Sequence, residues 1–190
     1  MTNNLEDQQQ IQTDKQQLQQ LLSVQEKNEI DQLLAHYPQP GGACIDALAI
    51  VQKYRGWVSD QAIAALAEHM GISLSELESV ATFYNLIFRL PVGRVLMHPC
   101  NGISCQLLGY KKIQRQLLCA LQIKEGETSA DGQITLISLP CLGACDKAPV
   151  MLVREAMVNG LEGTSSESLL VNLHCSELEL LLKQFKESAL

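Results

Sequence analysis

Four of the chain's seven cysteines fall in two pairs. Cys100 and Cys105 form a C-x4-C, and Cys141 and Cys145 form a C-x3-C within the string PCLGACDKAP. A fold that uses both pairs together must return the chain across the residues between them. The flanking sequence says how. Arg94 to His98 (RVLMH) reads as a short strand ending at Pro99-Cys100. Gln133 to Leu139 (QITLISL) alternates in polarity and reads as a second strand, ending just before Cys141. Each pair therefore sits in the loop at the C-terminal end of a strand. If the two strands are parallel neighbours, the two loops meet.

The rest of this half fits that scheme. A long amphipathic helix is expected over about Ser104 to Gln122, with Leu107, Leu108, Ile113, Leu117, Leu118 and Leu121 on its apolar stripe. Asp131-Gly132 is a turn. Val150 to Val153 is a third strand, and Ser168 to Leu173 is its hairpin partner. Ser176 with Glu179 has the spacing of a capping box and opens a closing helix through about Lys186. The order β-α-β-β-α from residue 94 onward predicts an α/β sandwich with one mixed sheet, close to a thioredoxin-like topology.

The N-terminal half is helical and punctuated. Residues 1 to about 22 are Gln-rich and low in complexity, and are expected to form a disordered or loosely helical tail. Ser23 with Glu26 is a capping box, and its helix ends before Pro38. A second helix runs from about Cys44 to Arg55 with Gly56 as its stop, and a third begins after Ser59 and stops at Gly71. A fourth opens with Ser73 and Glu76. The division expected is a tail over 1–22, a helical bundle over 23–90 and a thioredoxin-like domain over 91–190. The fold class is thus α+β or α/β, with an N-terminal helical bundle before a mixed-sheet domain.

Composition excludes several roles. Net charge is −7 with no basic cluster, so a nucleic-acid backbone would be repelled. No apolar run approaches the ~20 residues needed to cross a bilayer. The N-terminus MTNNLEDQQQ has neither the basic nor the apolar region of a secretory signal. A cytoplasmic location is expected. In a reducing compartment an odd number of cysteines argues for metal binding or catalysis rather than disulfides.

Four soft thiolates brought together suit an iron–sulfur cluster or zinc, with unmetallated thiols as the third possibility. Structural zinc usually takes C-x2-C knuckles, although spacings of two to four occur. Wider spacing at both pairs suits the larger [2Fe–2S] rhomb, in which each pair serves one iron. Gly102 and Gly143, one in each loop, allow backbone N–H groups to approach the sulfides. Spacing favours iron–sulfur and leaves the other two open.

Longer motifs carry a resemblance. The run from Cys100 through Cys105 to PCLGACDKAPVM resembles the thioredoxin-like [2Fe–2S] subunits of respiratory complex I, the E chains of bacterial NADH–quinone oxidoreductases. The segments IVQKYRGWVSDQAI and ESVATFYNLIFRLPVGR are similar to the helical region of those subunits. The likeness spans about residues 26 to 154. It implies that Cys100, Cys105, Cys141 and Cys145 are the ligands of one [2Fe–2S] cluster. It also implies electron exchange with a flavin mononucleotide held by a larger, NADH-binding partner subunit, beside other peripheral-arm subunits and peripheral to the inner membrane. This chain has no phosphate-cradling glycine loop after a strand, so it is expected to bind neither nucleotide and to hold no complete active site. Related subunits serve NAD-linked hydrogenases and formate dehydrogenases, which the sequence separates poorly. A structural zinc module is the alternative from another class. The Gln-rich tail and the long stretch REAMVNGLEGTSSES depart from the family pattern.

Plainer readings apply to the remaining residues. Cys44, Cys119 and Cys175 are expected to be buried small apolar side chains. His98 reads as a strand residue facing solvent or a neighbour, not a ligand. Asp146 and Lys147 read as solvated loop charges, and Pro149 as an ordinary trans proline. Phe83 and Tyr84 read as core or interface aromatics, and Trp57 as a staple between helices. The C-x3-C pair is not the C-x-x-C of a dithiol redox site.

Overall fold

Ser23 opens the first helix by satisfying backbone groups that a helix leaves unpaired at its start. In the computed structural model, which describes residues 21–155 and 167–187, the Ser23 hydroxyl accepts from the Glu26 amide at 3.2 Å. The Glu26 carboxylate accepts in return from the Ser23 amide at 2.7 Å. Helix α1 then runs Val24–Leu34. A 3-10 turn, Pro40–Ala43, leads into α2 (Cys44–Arg55). Gly56 ends α2 at φ +79°, in the left-handed region where a residue without Cβ meets no steric penalty. Ser59 caps α3 (Asp60–Met70), and Ser73 caps α4 (Leu74–Phe83). These helices bury one apolar cluster in which Ile30, Leu48, Ile63, Leu66 and Leu77 are wholly inaccessible. Each such side chain contributes about 1.5–3 kcal/mol by leaving water.

The described residues divide into two compact units at Leu90–Pro91. In the second, β1 (Val95–Pro99) is followed by α5 (Ile103–Leu107), α6 (Tyr110–Leu121) and β2 (Ile134–Leu136). Then come β3 (Met151–Glu155), β4 (Glu167–Leu170) and α7 (Cys175–Glu187). The sheet order is β2-β1-β3-β4. β1 pairs parallel with β2, in register Val95↔Ile134, and antiparallel with β3, in register Met97↔Val153. β3 and β4 form the expected antiparallel hairpin pair. The protein is therefore α+β with a mixed sheet. Alternate strand residues face one side of the sheet. Val95, Met97, Ile134, Leu136, Met151 and Val153 share that face with Ile113 and Leu117 of α6 and Leu178 and Leu182 of α7.

Three sequence expectations change. The long helix over Ser104–Gln122 is two helices, broken at Gly109, whose φ is +117°. The break leaves Leu107 and Leu108 exposed, although both lie on the apolar stripe. The capping box at Ser176 does not form, because α7 already starts at Cys175. Instead the Glu177 carboxylate accepts from the His174 amide at 3.4 Å. The Ala148–Pro149 bond is cis rather than trans. The expected Gln-rich tail falls almost wholly outside the described residues.

Candidate metal centre

Beyond β2 the chain stays beside β1. The Ile137 amide donates to the Met97 carbonyl at 3.0 Å and the Leu139 amide to Pro99 at 3.1 Å. The Asn101 amide donates to Leu139 at 2.9 Å, and the Cys100 amide to Val150 at 3.0 Å. The backbone ladder thus carries the first cysteine loop to the side of the second. One further contact fixes the approach. A Cβ on Gly102 would lie 3.4 Å from the Cys141 N, Cα and Cβ, so the two loops run within van der Waals reach of each other here.

The two pairs differ in exposure. Cys100 and Cys105 are 2% and 1% exposed, packed with Tyr110 and Val150. Cys141 and Cys145 are exposed, with their sulfurs 3.2 Å apart. Among the described residues no three His, Cys, Asp or Glu side chains converge as a single metal ion requires. The thiols are grouped by twos, and the pairs still feel each other's charge, Cys145 interacting with both Cys100 and Cys105.

Hydrogen bonds reach three of the sulfurs. The Gly143 amide donates to Cys141, and with the Cys145 thiol it holds Cys141 below the ordinary thiol value. Gly143 can present that amide because its φ is +83°. Donation to Cys141 pushes the Cys145 thiol up, while the Ser104 hydroxyl, donating to Cys145, works the other way. Burial pushes Cys105 up, against a bond from the Val150 amide. A set of four thiolates with amide and hydroxyl donors around it suits an iron–sulfur cluster.

The other candidates lie elsewhere. His98 is wholly buried, not solvated, because its Nδ1–H donates to the Ile137 carbonyl at 2.9 Å and builds the ring into the sheet. Burial lowers its pKa. Cys44 is buried as expected, but Cys119 and Cys175 are exposed on helix surfaces. Phe83 is 77% exposed and Tyr84 41%, stacked edge-to-face at 5.2 Å, so neither is a core residue. Sequence reasoning missed Ser104, Tyr110 and Val150. The position of Ser104 next to Cys105 was the one available signal. Tyr110 joins α6 to the strand end before Cys141, its hydroxyl 2.8 Å from that of Ser138.

Comparison with known proteins decides the family. The sequence model of the family described as thioredoxin-like [2Fe-2S] ferredoxin matches residues 30–174. The chain belongs to this family. Its cofactor is a [2Fe–2S] cluster. The E subunit of NADH-quinone oxidoreductase from Escherichia coli K12 is 48% identical over 134 residues, covering 70% of this chain and 81% of the relative. Its counterpart from Buchnera aphidicola subsp. Acyrthosiphon pisum is 47% identical over 149 residues, 78% of this chain and 92% of the relative. That of Pseudomonas aeruginosa is 45% identical over 133 residues, 70% and 80%. A solved NAD+-reducing [NiFe]-hydrogenase in the air-oxidised state superposes with a TM-score of 0.60 at 21% identity. It covers 77% of this chain, which spans only 23% of that hydrogenase chain, and the likeness is one of fold. This family member is thus similar along most of its length to components of an oxidoreductase complex. Among its described residues no helix is long and apolar enough to cross a membrane.

Proposed function

We propose that this chain is the electron-transfer subunit of an NADH–quinone oxidoreductase and that Cys100, Cys105, Cys141 and Cys145 hold its [2Fe–2S] cluster. The carrying observation is the meeting of the two cysteine loops at the ends of neighbouring parallel strands. The Cys141 and Cys145 sulfurs lie 3.2 Å apart as one pair, and a cofactor with two metal centres takes its thiolates in pairs. When bound, the cluster supplies one-electron exchange with the flavin of an NADH-oxidising partner subunit. The chain's own residues set the conditions for it. Cys100 and Cys105 anchor the buried side, and Cys141 and Cys145 present the exposed side to that partner. The amides of Gly143 and Val150 stabilise negative charge on sulfur. NADH and flavin binding belong to the partner, and the protein works beside other peripheral-arm subunits on the cytoplasmic side of the membrane.

The diaphorase of an NAD-linked hydrogenase is the second reading. The hydrogenase likeness at 21% identity favours it less than 45–48% identity with the quinone-oxidoreductase relatives favours the first. The test is anaerobic purification of the full chain with iron and sulfide analysis, and EPR after dithionite reduction. About two irons and two sulfides with a rhombic S = 1/2 signal are expected. Alanine at each of the four cysteines in turn should abolish that signal. Stoichiometric zinc, or a signal that survives all four substitutions, would overturn the assignment.

A further inference from the structure

We infer that the Tyr110 ring keeps water from the Cys100–Cys105 side of the cluster and thereby holds its reduction potential down. The inference rests on the reading that the four thiolates hold one cluster. Cys100, Cys105, Tyr110 and Val150 form one buried group, with Leu142, Ala144 and Ala148 packed against it. Among the described residues, Tyr110 is the one aromatic side chain of that group and the one contribution of α6. Ile113, Leu117 and Leu121 of the same helix face the sheet instead. Tyr110 is 5% exposed, whereas Leu108, Lys111 and Lys112 around it are exposed. The ring therefore lies at the boundary between solvent and the two buried cysteines.

Both ends of the ring are held. Gly109 breaks the chain out of α5, and Tyr110 is the first residue of α6. At the far end the Tyr110 and Ser138 hydroxyls lie 2.8 Å apart, so burying the phenol leaves no polar group unpaired. The Ser138 amide in turn donates to the Glu125 carboxylate, which ties this strand end to the segment after α6. Reduction adds one electron, and so one negative charge, to the cluster and its thiolates. Charge is costlier to hold where water is excluded. A dry wall on the buried side disfavours the reduced form, and the potential falls.

The experiment uses full-length holoprotein with Tyr110→Ala, Tyr110→Leu and Tyr110→Phe beside the wild type. Iron and sulfide are measured first, and then each protein is titrated against redox mediators with EPR detection. In Tyr110→Ala the reduced-to-oxidised ratio at a fixed potential should rise about tenfold, ~59 mV for one electron. Tyr110→Leu should shift the same way by less, and Tyr110→Phe, which keeps the ring, should match the wild type. Pulsed EPR after exchange into heavy water should show added deuterium coupling in the alanine and leucine variants alone. An unchanged or lowered midpoint in a fully loaded alanine or leucine variant would overturn the inference. So would a raised midpoint without added deuterium coupling, or a phenylalanine variant that shifts as far as alanine. Loss of iron from both the alanine and leucine variants would make Tyr110 a folding residue and overturn it too. A wild type without iron would instead sink the ligand assignment itself, and this inference with it.

Discussion

The Arg55 guanidinium grips Glu26 with two hydrogen bonds, Nε to Oε1 at 2.6 Å and Nη2 to Oε2 at 2.8 Å. Glu26 is 1% exposed and also caps α1 through Ser23. The pair ties α1 to α2 across the helical unit. Arg55→Ala would leave a buried carboxylate with only its cap, at a cost of about 3 kcal/mol. Urea unfolding followed by circular dichroism should show the midpoint fall. An unchanged midpoint would mean that the pair contributes nothing.

Burial alone would push the Glu26 carboxyl up, but the Arg55 and Ser23 bonds outweigh it and hold the carboxyl below the usual 4.5. The folded form is thus the stronger acid. Its contribution to stability is complete above pH 4.5 and disappears as pH falls through the lower folded value. The stability difference between wild type and Glu26→Gln should therefore be level from pH 7 to about 5 and shrink below that. Urea midpoints at a series of pH values test this, and a difference that grows on acidification would contradict it.

Gly93 sits where the backbone of the neighbouring strand passes. A Cβ there would lie 2.7 Å from the Gln133 carbonyl carbon and 2.8 Å from the Ile134 nitrogen. Its amide also donates to the Thr135 hydroxyl at 2.6 Å. Gly93→Ala should force β1 and β2 apart at their start and cost about 1–3 kcal/mol. Thermal unfolding is the measurement. Since the same strand pair carries the cysteine loops, iron content should fall in step with stability.

Thiol labelling separates the seven cysteines. In holoprotein, alkylation and mass spectrometry should find modification at Cys119 and Cys175, which are exposed, and not at buried Cys44. Removing the iron with a chelator should add Cys141 and Cys145 to the labelled set before Cys100 and Cys105, which stay buried. Labelling of exposed Cys141 in fully loaded holoprotein, to the same extent as in chelated protein, would speak against iron at that sulfur.

What the sequence made legible was local or repeated. Ser23, Ser59 and Ser73 start helices by satisfying amides within three residues, and Gly56 and Gly71 end helices where only a left-handed residue fits. The placement of both cysteine pairs after parallel strands follows from strand alternation and chain order. The misses come from counting apolar residues without asking what they face. Leu107 and Leu108 keep a helical stripe going across Gly109, where the backbone turns out of the helix. Cysteine is usually buried, which predicts the same for Cys119 and Cys175. Both lie instead away from the sheet-facing row of Ile113, Leu117, Leu178 and Leu182. The Tyr110 bond to Ser138 joins residues far apart in sequence, which no local pattern encodes.

The parallel pairing of β1 and β2 also sets an order of events during synthesis. Cys100 and Cys105 leave the ribosome first and can do no more than wait, for their partners lie beyond α6 and the second strand. Only when β2 has docked beside β1, with the crossover helices closed over the sheet, do Cys141 and Cys145 arrive alongside. A cofactor that needs all four sulfurs would therefore have no complete site until β2 is paired with β1. Cluster loading would then report on the long-range pairing of these two strands and not on either loop by itself.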